Sequence, residues 1–290
     1  MRQTNDPSIG PVDGRYVHRV SASETFVGEA SPLGRDRFSV PAVWPRVHGT
    51  YRMGAHPPDA LLLCETFRQA SYVVCHMQRG VPLGRKFLLS HMALSGVSLL
   101  GGPRVPVAPT VTVDIVELGR VESESASVRV AGEIALPGAF RASLTASGAI
   151  LSERIYRRVR GGLAPSGPAA APGAHAGRAP SSNTVLASGN GEPNTWRLVV
   201  NTAHPSHFDH PLDHVPGSLL LDAARSAMRA ALGRPEAEPT SIDASFQGFV
   251  ELAEPTKVRL ADGGESMTVD FFQRGEHRAR VDLVPPRAAS

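Results

Sequence analysis

The chain has 290 residues, enough for two ordinary domains or one large one. Hydrophobic residues make up 41% and charged residues 20%, the balance of a globular protein with a buried core. A formal net charge of +3, without a lysine–arginine block or basic–aromatic interleaving, argues against nucleic-acid binding, and two lysines, Lys86 and Lys257, leave few candidates for Schiff-base chemistry.

Residues 1–15 read as a disordered leader without an apolar signal core, and no apolar run reaches membrane-spanning length, so a cytoplasmic location without membrane association is expected. Phe38 to Trp44 reads as a short strand that Pro41 pushes toward an edge. After His48, Tyr51 and His56, the segment from Asp59 to Met77 reads as one apolar helix, stopped by Gly80 and Pro82. It carries both cysteines, Cys64 and Cys75, too far apart along a helix to bridge and expected as reduced, buried thiols. Strand-like runs follow at Lys86–Leu94, Thr110–Leu118, Ser127–Leu136 and Ala146–Arg154. Residues 161–194 are rich in Ala, Pro, Gly and Ser without periodicity, the composition of a linker. Thr195–Asn201 then reads as a strand, and Ser241–Val250, Ser266–Gln273 and Arg278–Val284 close the chain as three more.

Between these strands lies the densest group of titratable residues, HPSHFDHPLDHVPGSLLLDAAR over 204–225. Pro205, Pro211 and Pro216 forbid a regular helix or central strand, so His204, His207, His210 and His214 sit on a loop with Asp209 and Asp213. From Ser218 the spacing of Leu220, Ala223, Ala224, Ala227, Met228 and Ala231 predicts a helix that Gly233 ends. A titratable loop feeding a helix start, with its unpaired N–H groups, can polarise a carbonyl. The plainer alternative is a set of surface histidines followed by an exposed Asp222–Arg225 pair. The spacing of His204, His207 and His210 could also supply imidazole ligands, but no helix holds them on one face and no cysteine joins them. Neither a metal nor another cofactor is expected.

The two sides of the linker repeat each other. LLCETFRQA over 62–70 aligns with LLLDAARSA over 219–227, with an acid, an arginine three later and an alanine two beyond. Each helix is preceded by a strand and a histidine-bearing loop and followed by antiparallel-looking strands. The expected fold is therefore α+β, a tandem hotdog. Each half, 16–160 and 195–290, wraps a sheet around one long helix, so that a single chain imitates a hotdog dimer.

The 204–225 motif resembles that of the A-factor synthase family, hotdog enzymes of γ-butyrolactone and related autoregulator biosynthesis. VHR at 17–19, WPR at 44–46, ETFRQA at 65–70 and GVPLG at 80–84 agree in order, so the resemblance spans the chain outside leader and linker. It implies an acyltransferase that condenses a β-ketoacyl group, delivered on acyl carrier protein, with the hydroxyl of dihydroxyacetone phosphate. Such chemistry needs a base, oxyanion donors and a phosphate-binding cation. Glu65, His207, His210 and His214 are the candidate catalytic residues, and Arg68, Gln69, Arg225, Asp209 and Gly217 the candidate substrate and phosphate ligands. By analogy with hotdog dimers, the second-half loop should face Glu65 and Arg68, while His48 and His56 with Asp222 form a second composite site. Two positions depart from the family: Asp222 stands where Glu is usual and Ser226 where Gln is frequent. A hotdog dehydratase or thioesterase, and a non-catalytic ligand-binding hotdog, are the alternative functions.

Overall fold

The computed structural model describes residues 10–53, 58–99, 108–136, 138, 140–161, 184–189 and 191–287. The first half contributes β1 (Ser31–Pro32), β2 (Arg37–Pro41), helix α1 (Ala60–Val73), β3 (Lys86–Leu99), β4 (Thr110–Leu118), β5 (Ser125–Leu136), β6 (Phe140–Leu151) and the short helix α2 (Glu153–Val159). The second half contributes β7 (Leu186–Ser188), β8 (Thr195–Leu198), helix α3 (Gly217–Leu232), β9 (Ser241–Phe246), β10 (Lys257–Asp262), β11 (Met267–Gln273) and β12 (Glu276–Val284). All strands join one antiparallel sheet in the order β1-β2-β4-β5-β6-β3-β9-β12-β11-β10-β8-β7.

That order carries the duplication. Read outward from the centre, one arm runs β3, β6, β5, β4, β2, β1 and the other β9, β12, β11, β10, β8, β7, so corresponding strands occupy corresponding places. The seam pairs β3 with β9, with Met92 opposite Ala244 and Leu94 opposite Ile242. At the seam each half covers the edge that the other would otherwise expose.

Each sheet arm wraps its own helix. Helix α1 starts at Asp59, whose side chain accepts from the amides of Leu61 and Leu62 at 3.0 and 3.2 Å. It is buried on nearly all sides, from Leu61, Leu62 and Leu63 to Phe67 and Ala70, which suits a helix enclosed by a curved sheet. Past Val73 it widens into a π turn over Val74–Gln78. Helix α3 begins after Pro216 without a side-chain cap and ends at Gly233, whose φ of +61° is the left-handed stop that glycine adopts without strain. The two helices touch each other, so the core is continuous across the halves.

The differences from the sequence expectations are local. Leu186–Ser188, inside the range expected as linker, pairs with β8 as β7, while 162–183 lie outside the described residues. The closing sheet has four strands rather than three, because Lys257–Asp262 forms β10 between β11 and β8. The strand expected over Ala146–Arg154 begins earlier, at Phe140, and stops at Leu151, where Ser152 caps α2 by accepting from the Ile155 amide at 3.2 Å. His56 and most of the expected leader lie outside the described residues.

Candidate active site

A cavity of about 690 Å³ lies between the two halves, walled by α1, the seam strand β3, the 207–216 loop, the start of α3 and the segment after β9. Its lining is apolar at Leu61, Leu88, Met92, Leu220 and Phe246, and polar where His18, Arg19, Glu65, Arg68, Lys86, His207, His210 and His214 converge. A volume in this range holds a ligand of cofactor or acyl-chain size.

Glu65 sits at the base of the cationic end. Its Oε1 accepts from Nε and Nη2 of Arg19 at 3.2 and 2.8 Å, from Nη2 of Arg68 at 2.7 Å and from Nε2 of Gln69 at 2.7 Å, while Oε2 accepts from Nε of Arg68 at 2.8 Å. Burial raises the carboxyl's pKa, but Arg19 and Arg68 more than offset it and hold Glu65 far below the usual carboxylate range. Gln69 faces away from the cavity: its Nε2 also donates to Glu24 O at 2.7 Å, and its Oε1 accepts from the Phe26 amide at 2.8 Å. Arg68 also donates to Val17 O at 3.2 Å and lies over the Tyr72 ring at 4.7 Å. It also has a side-chain hydrogen bond with Tyr72, and it keeps 20% exposure in the cavity wall.

The histidine loop of the second half is tied to this end by the first half. Nη1 of Arg19 donates to Ser206 O at 2.7 Å, and Asp209 accepts from the amides of Val20 and Ser21 at 2.5 and 2.9 Å. Asp209 is therefore a loop anchor, with its carboxylate consumed by backbone. His210 lines the cavity, and burial first, then Arg19, lowers its pKa. His207 has both nitrogens engaged, Nδ1 with Ser218 Oγ and Nε2 with Asp222 Oδ2, each at 3.2 Å. His214 is different. Its Nδ1 lies 2.6 Å from Asp213 Oδ1, so it donates there, and Nε2 has no protein partner among the described residues. Asp213 is fixed in turn by Tyr156 Oη at 2.7 Å and Arg160 Nε at 3.0 Å, both from the end of the first half.

Asp222 and Arg225 form a separate, closed cluster. Nη1 of Arg225 donates to Asp59 at 3.0 Å and Nη2 to Asp222 at 2.9 Å, with Glu238 3.6 Å away. Glu238 is also held by Arg229 and accepts from the Ala60 amide at 3.2 Å. Neither Asp222 nor Arg225 lines the cavity. Burial raises the Asp222 pKa, but the His207 bond and Arg225 overcome this and leave it at about 2. Of the residues read as a second composite site, Asp222 meets His207, and His56 lies outside the described residues. His48 contacts Glu24 at 3.1 Å rather than Asp222, because the Thr50–Ser206–Glu24 chain of hydrogen bonds holds it there.

His207, His210 and His214 thus meet Arg19 and the α1 residue Arg68 in one cavity, together with Gly217 at the start of α3. Arg19, Asp59, Asp213 and Tyr156 were not singled out from sequence. Two signals were available: Arg19 closes the VHR stretch, and Asp59 stands at the capping position before an apolar helix. Among the described residues no group of three or more His, Cys, Asp or Glu is arranged to hold a metal ion, and no helix is long and apolar enough to cross a membrane.

Solved structures share this architecture at low identity. A 12:0-ACP thioesterase from Umbellularia californica aligns over 88% of this chain and 99% of its own, with a TM-score of 0.51 and 10% identity. A putative oleoyl thioesterase from Lactobacillus plantarum covers 89% and 99%, at a TM-score of 0.52 and 12% identity. These likenesses show the fold alone. Two enzymes called 2-oxo-3-(phosphooxy)propyl 3-oxoalkanoate synthase are much closer in sequence. That of Streptomyces coelicolor is 34% identical over 84% of this chain and 80% of its own, and that of Streptomyces griseus is 34% identical over 97% of each. With residues 1–151 and 164–270 also matching the A-factor biosynthesis hotdog domain, the chain belongs to that family.

Proposed function

We propose that this chain transfers a 3-oxoacyl group from an acyl-carrier-protein thioester to the free hydroxyl of dihydroxyacetone phosphate, in the cytoplasm, giving the phosphorylated ester for which its relatives are named. The observation that carries this is the partly exposed Arg68 guanidinium in the cavity wall, held in place by Glu65, with Lys86 lining the same cavity. A guanidinium already locked by Glu65 and exposed to the cavity can take a phosphoryl group at little cost in ordering. Glu65 is then a positioning residue. A carboxylate shared by two guanidiniums is a poor proton acceptor, and it has no proton to give, which also disfavours dehydration.

His214 is the base. Asp213 keeps the proton on its Nδ1 and leaves Nε2 to take the acceptor's hydroxyl proton as that oxygen attacks the thioester carbonyl. Three residues on, α3 opens with the amides of Gly217 and Ser218, which no intrahelical carbonyl satisfies; they donate to the developing oxyanion. When the C–S bond breaks, the thiolate takes the proton back from Nε2, so no net proton is consumed. The apolar wall of Leu61, Leu88, Met92 and Leu220 accommodates the acyl chain.

The direct test is incubation with a 3-oxoacyl carrier-protein thioester, with and without dihydroxyacetone phosphate, followed by mass spectrometry. An ester carrying both the acyl and phosphoryl groups is expected. Free 3-oxo acid alone, formed equally in the two arms, would make the chain a thioesterase.

A further inference from the structure

His18 stands in the cationic wall with His76 behind it, and neither is used by any step above. Both occupy unusual backbone. His18 has φ +54°, a left-handed conformation rare outside glycine, and His76 lies in the π turn at the end of α1. The strain at His18 is maintained by its neighbours: Val17 is fully buried, and Arg19 is pinned to Glu65 and Ser206. The outcome of both distortions is one contact, His18 Nε2 to His76 Nε2 at 3.0 Å.

The protons on this pair follow from the outer partner. His76 Nδ1 lies 2.7 Å from Val81 O, and a carbonyl only accepts, so Nδ1 carries the hydrogen. In neutral His76, Nε2 is then bare and must accept from His18, whose hydrogen is therefore on Nε2. Neutral His18 is left with a bare Nδ1, which has no protein partner among the described residues, on a side chain that lines the cavity. The ring is held in this orientation by Tyr72 at 4.9 Å and Phe87 at 5.4 Å.

We propose that His18, positioned by His76, is a proton-accepting ligand for a phosphate monoester. As the dianion enters beside Arg68, His18 Nδ1 takes one proton from solvent and donates it as a hydrogen bond to a phosphoryl oxygen, while Nε2–H stays on His76. The proposal rests on the acceptor carrying a phosphoryl group, as inferred above. The carrier's phosphopantetheine is a diester monoanion and would not draw the proton. The charged and titratable groups around His18 fit this sequence of events. Burial first, then Arg68, His76, His210 and Lys86, hold its pKa down to about 3, so an arriving dianion reverses the local field. Burial also lowers His76, against its bond to Val81.

Calorimetry of glycerol 3-phosphate binding, in buffers of different ionisation enthalpy, reads the proton directly. Uptake of about one proton per ligand is expected, with Kd rising about tenfold per pH unit above the phosphate's second ionisation near pH ~6. Glycerophosphoglycerol, a diester, should take up none. His18→Asn keeps a residue that tolerates positive φ. It should make binding pH-independent and about 10–100-fold weaker, the loss of one charge-assisted bond. Should that variant fail to fold, nitrogen-15 spectra of histidine-labelled wild type still decide: one imidazole must change from neutral to imidazolium on saturation with glycerol 3-phosphate. Binding without proton uptake, or uptake retained in His18→Asn, overturns the pair as a phosphate ligand while leaving ester synthesis intact. Absence of saturable glycerol 3-phosphate binding overturns it too. The acyl-transfer assignment stands or falls separately on the product mass.

Discussion

On α1, Glu65 gathers Arg19, Arg68 and Gln69, and the Arg68 guanidinium stays partly exposed in the cavity wall. On α3, Arg225 is the group surrounded, by Asp59, Asp222 and Glu238, and it does not reach the cavity. The same acid and arginine, three residues apart, thus end in opposite charge balances. Cations are in excess around Glu65 and anions around Arg225. A duplicated pair keeps its spacing while the loops packed against it decide whether it binds a ligand or braces the fold. Near α1 the added partner is Arg19; near α3 it is Asp59, the N-cap of the opposite helix.

The strongest way to break this contrast is Arg225→Ala. It leaves three buried carboxylates with fewer cations, and breaking such a buried network costs about 3–5 kcal/mol, so a large fall in the urea midpoint or a failure to fold is expected. A variant as stable as wild type would show that α3 carries no structural ion network. Next, Glu65→Gln removes the charge that aligns both cavity arginines. It should lower kcat/KM by about 10–100-fold, the loss of one to two charge-assisted bonds, with a pH profile of unchanged shape because Glu65 does not titrate in turnover. Asp222→Asn in the same assay should leave kcat/KM within about twofold and reduce stability instead, since Arg225 retains Asp59 and Glu238. Equal losses of turnover in the two variants would erase the distinction between the clusters.

Arg68→Lys is a finer probe. Lysine keeps the charge but cannot hold Glu65 with two nitrogens while presenting a third, so KM for dihydroxyacetone phosphate should rise about tenfold with kcat little changed. An unchanged KM would remove Arg68 from the phosphate site. The smallest effect concerns pH. His18 and His204 have folded pKa values of about 3 and about 4, caused first by burial and then by Arg68 and by His207 respectively. Both lie below the unfolded value of about 6.5, so the unfolded chain takes up protons first as pH falls. Their stabilisation is complete above pH ~6.5 and is lost on descent toward their folded values. Urea midpoints measured from pH 7.5 down to 4.5 should decline, and less steeply in His204→Gln.

Individual elements show how far the sequence reached. Thr110–Leu118 is a strand over the residues its alternation predicted, and both long helices start within a residue or two of the expected place. In β10, only six residues with charges at three of its four exposed positions, local pattern is too short to separate strand from loop; pairing with β11 and β8 decides it. α2 is a seven-residue helix held by Ser152 and by Tyr156 reaching Asp213, contacts that no short-range periodicity reports.

Sequence alone determined the duplication, the two buried helices and the loop rich in imidazoles, because proline placement, apolar period and local spacing are properties of neighbouring residues. Which distant side chain meets which acid was settled by tertiary structure. Arg19 and Glu65 are 46 positions apart, Asp59 and Arg225 166, and Tyr156 and Asp213 57. Over such separations the pairing depends on where the seam between β3 and β9 brings the halves together, and on the low dielectric there, which leaves each buried charge needing whichever partner the fold places within reach.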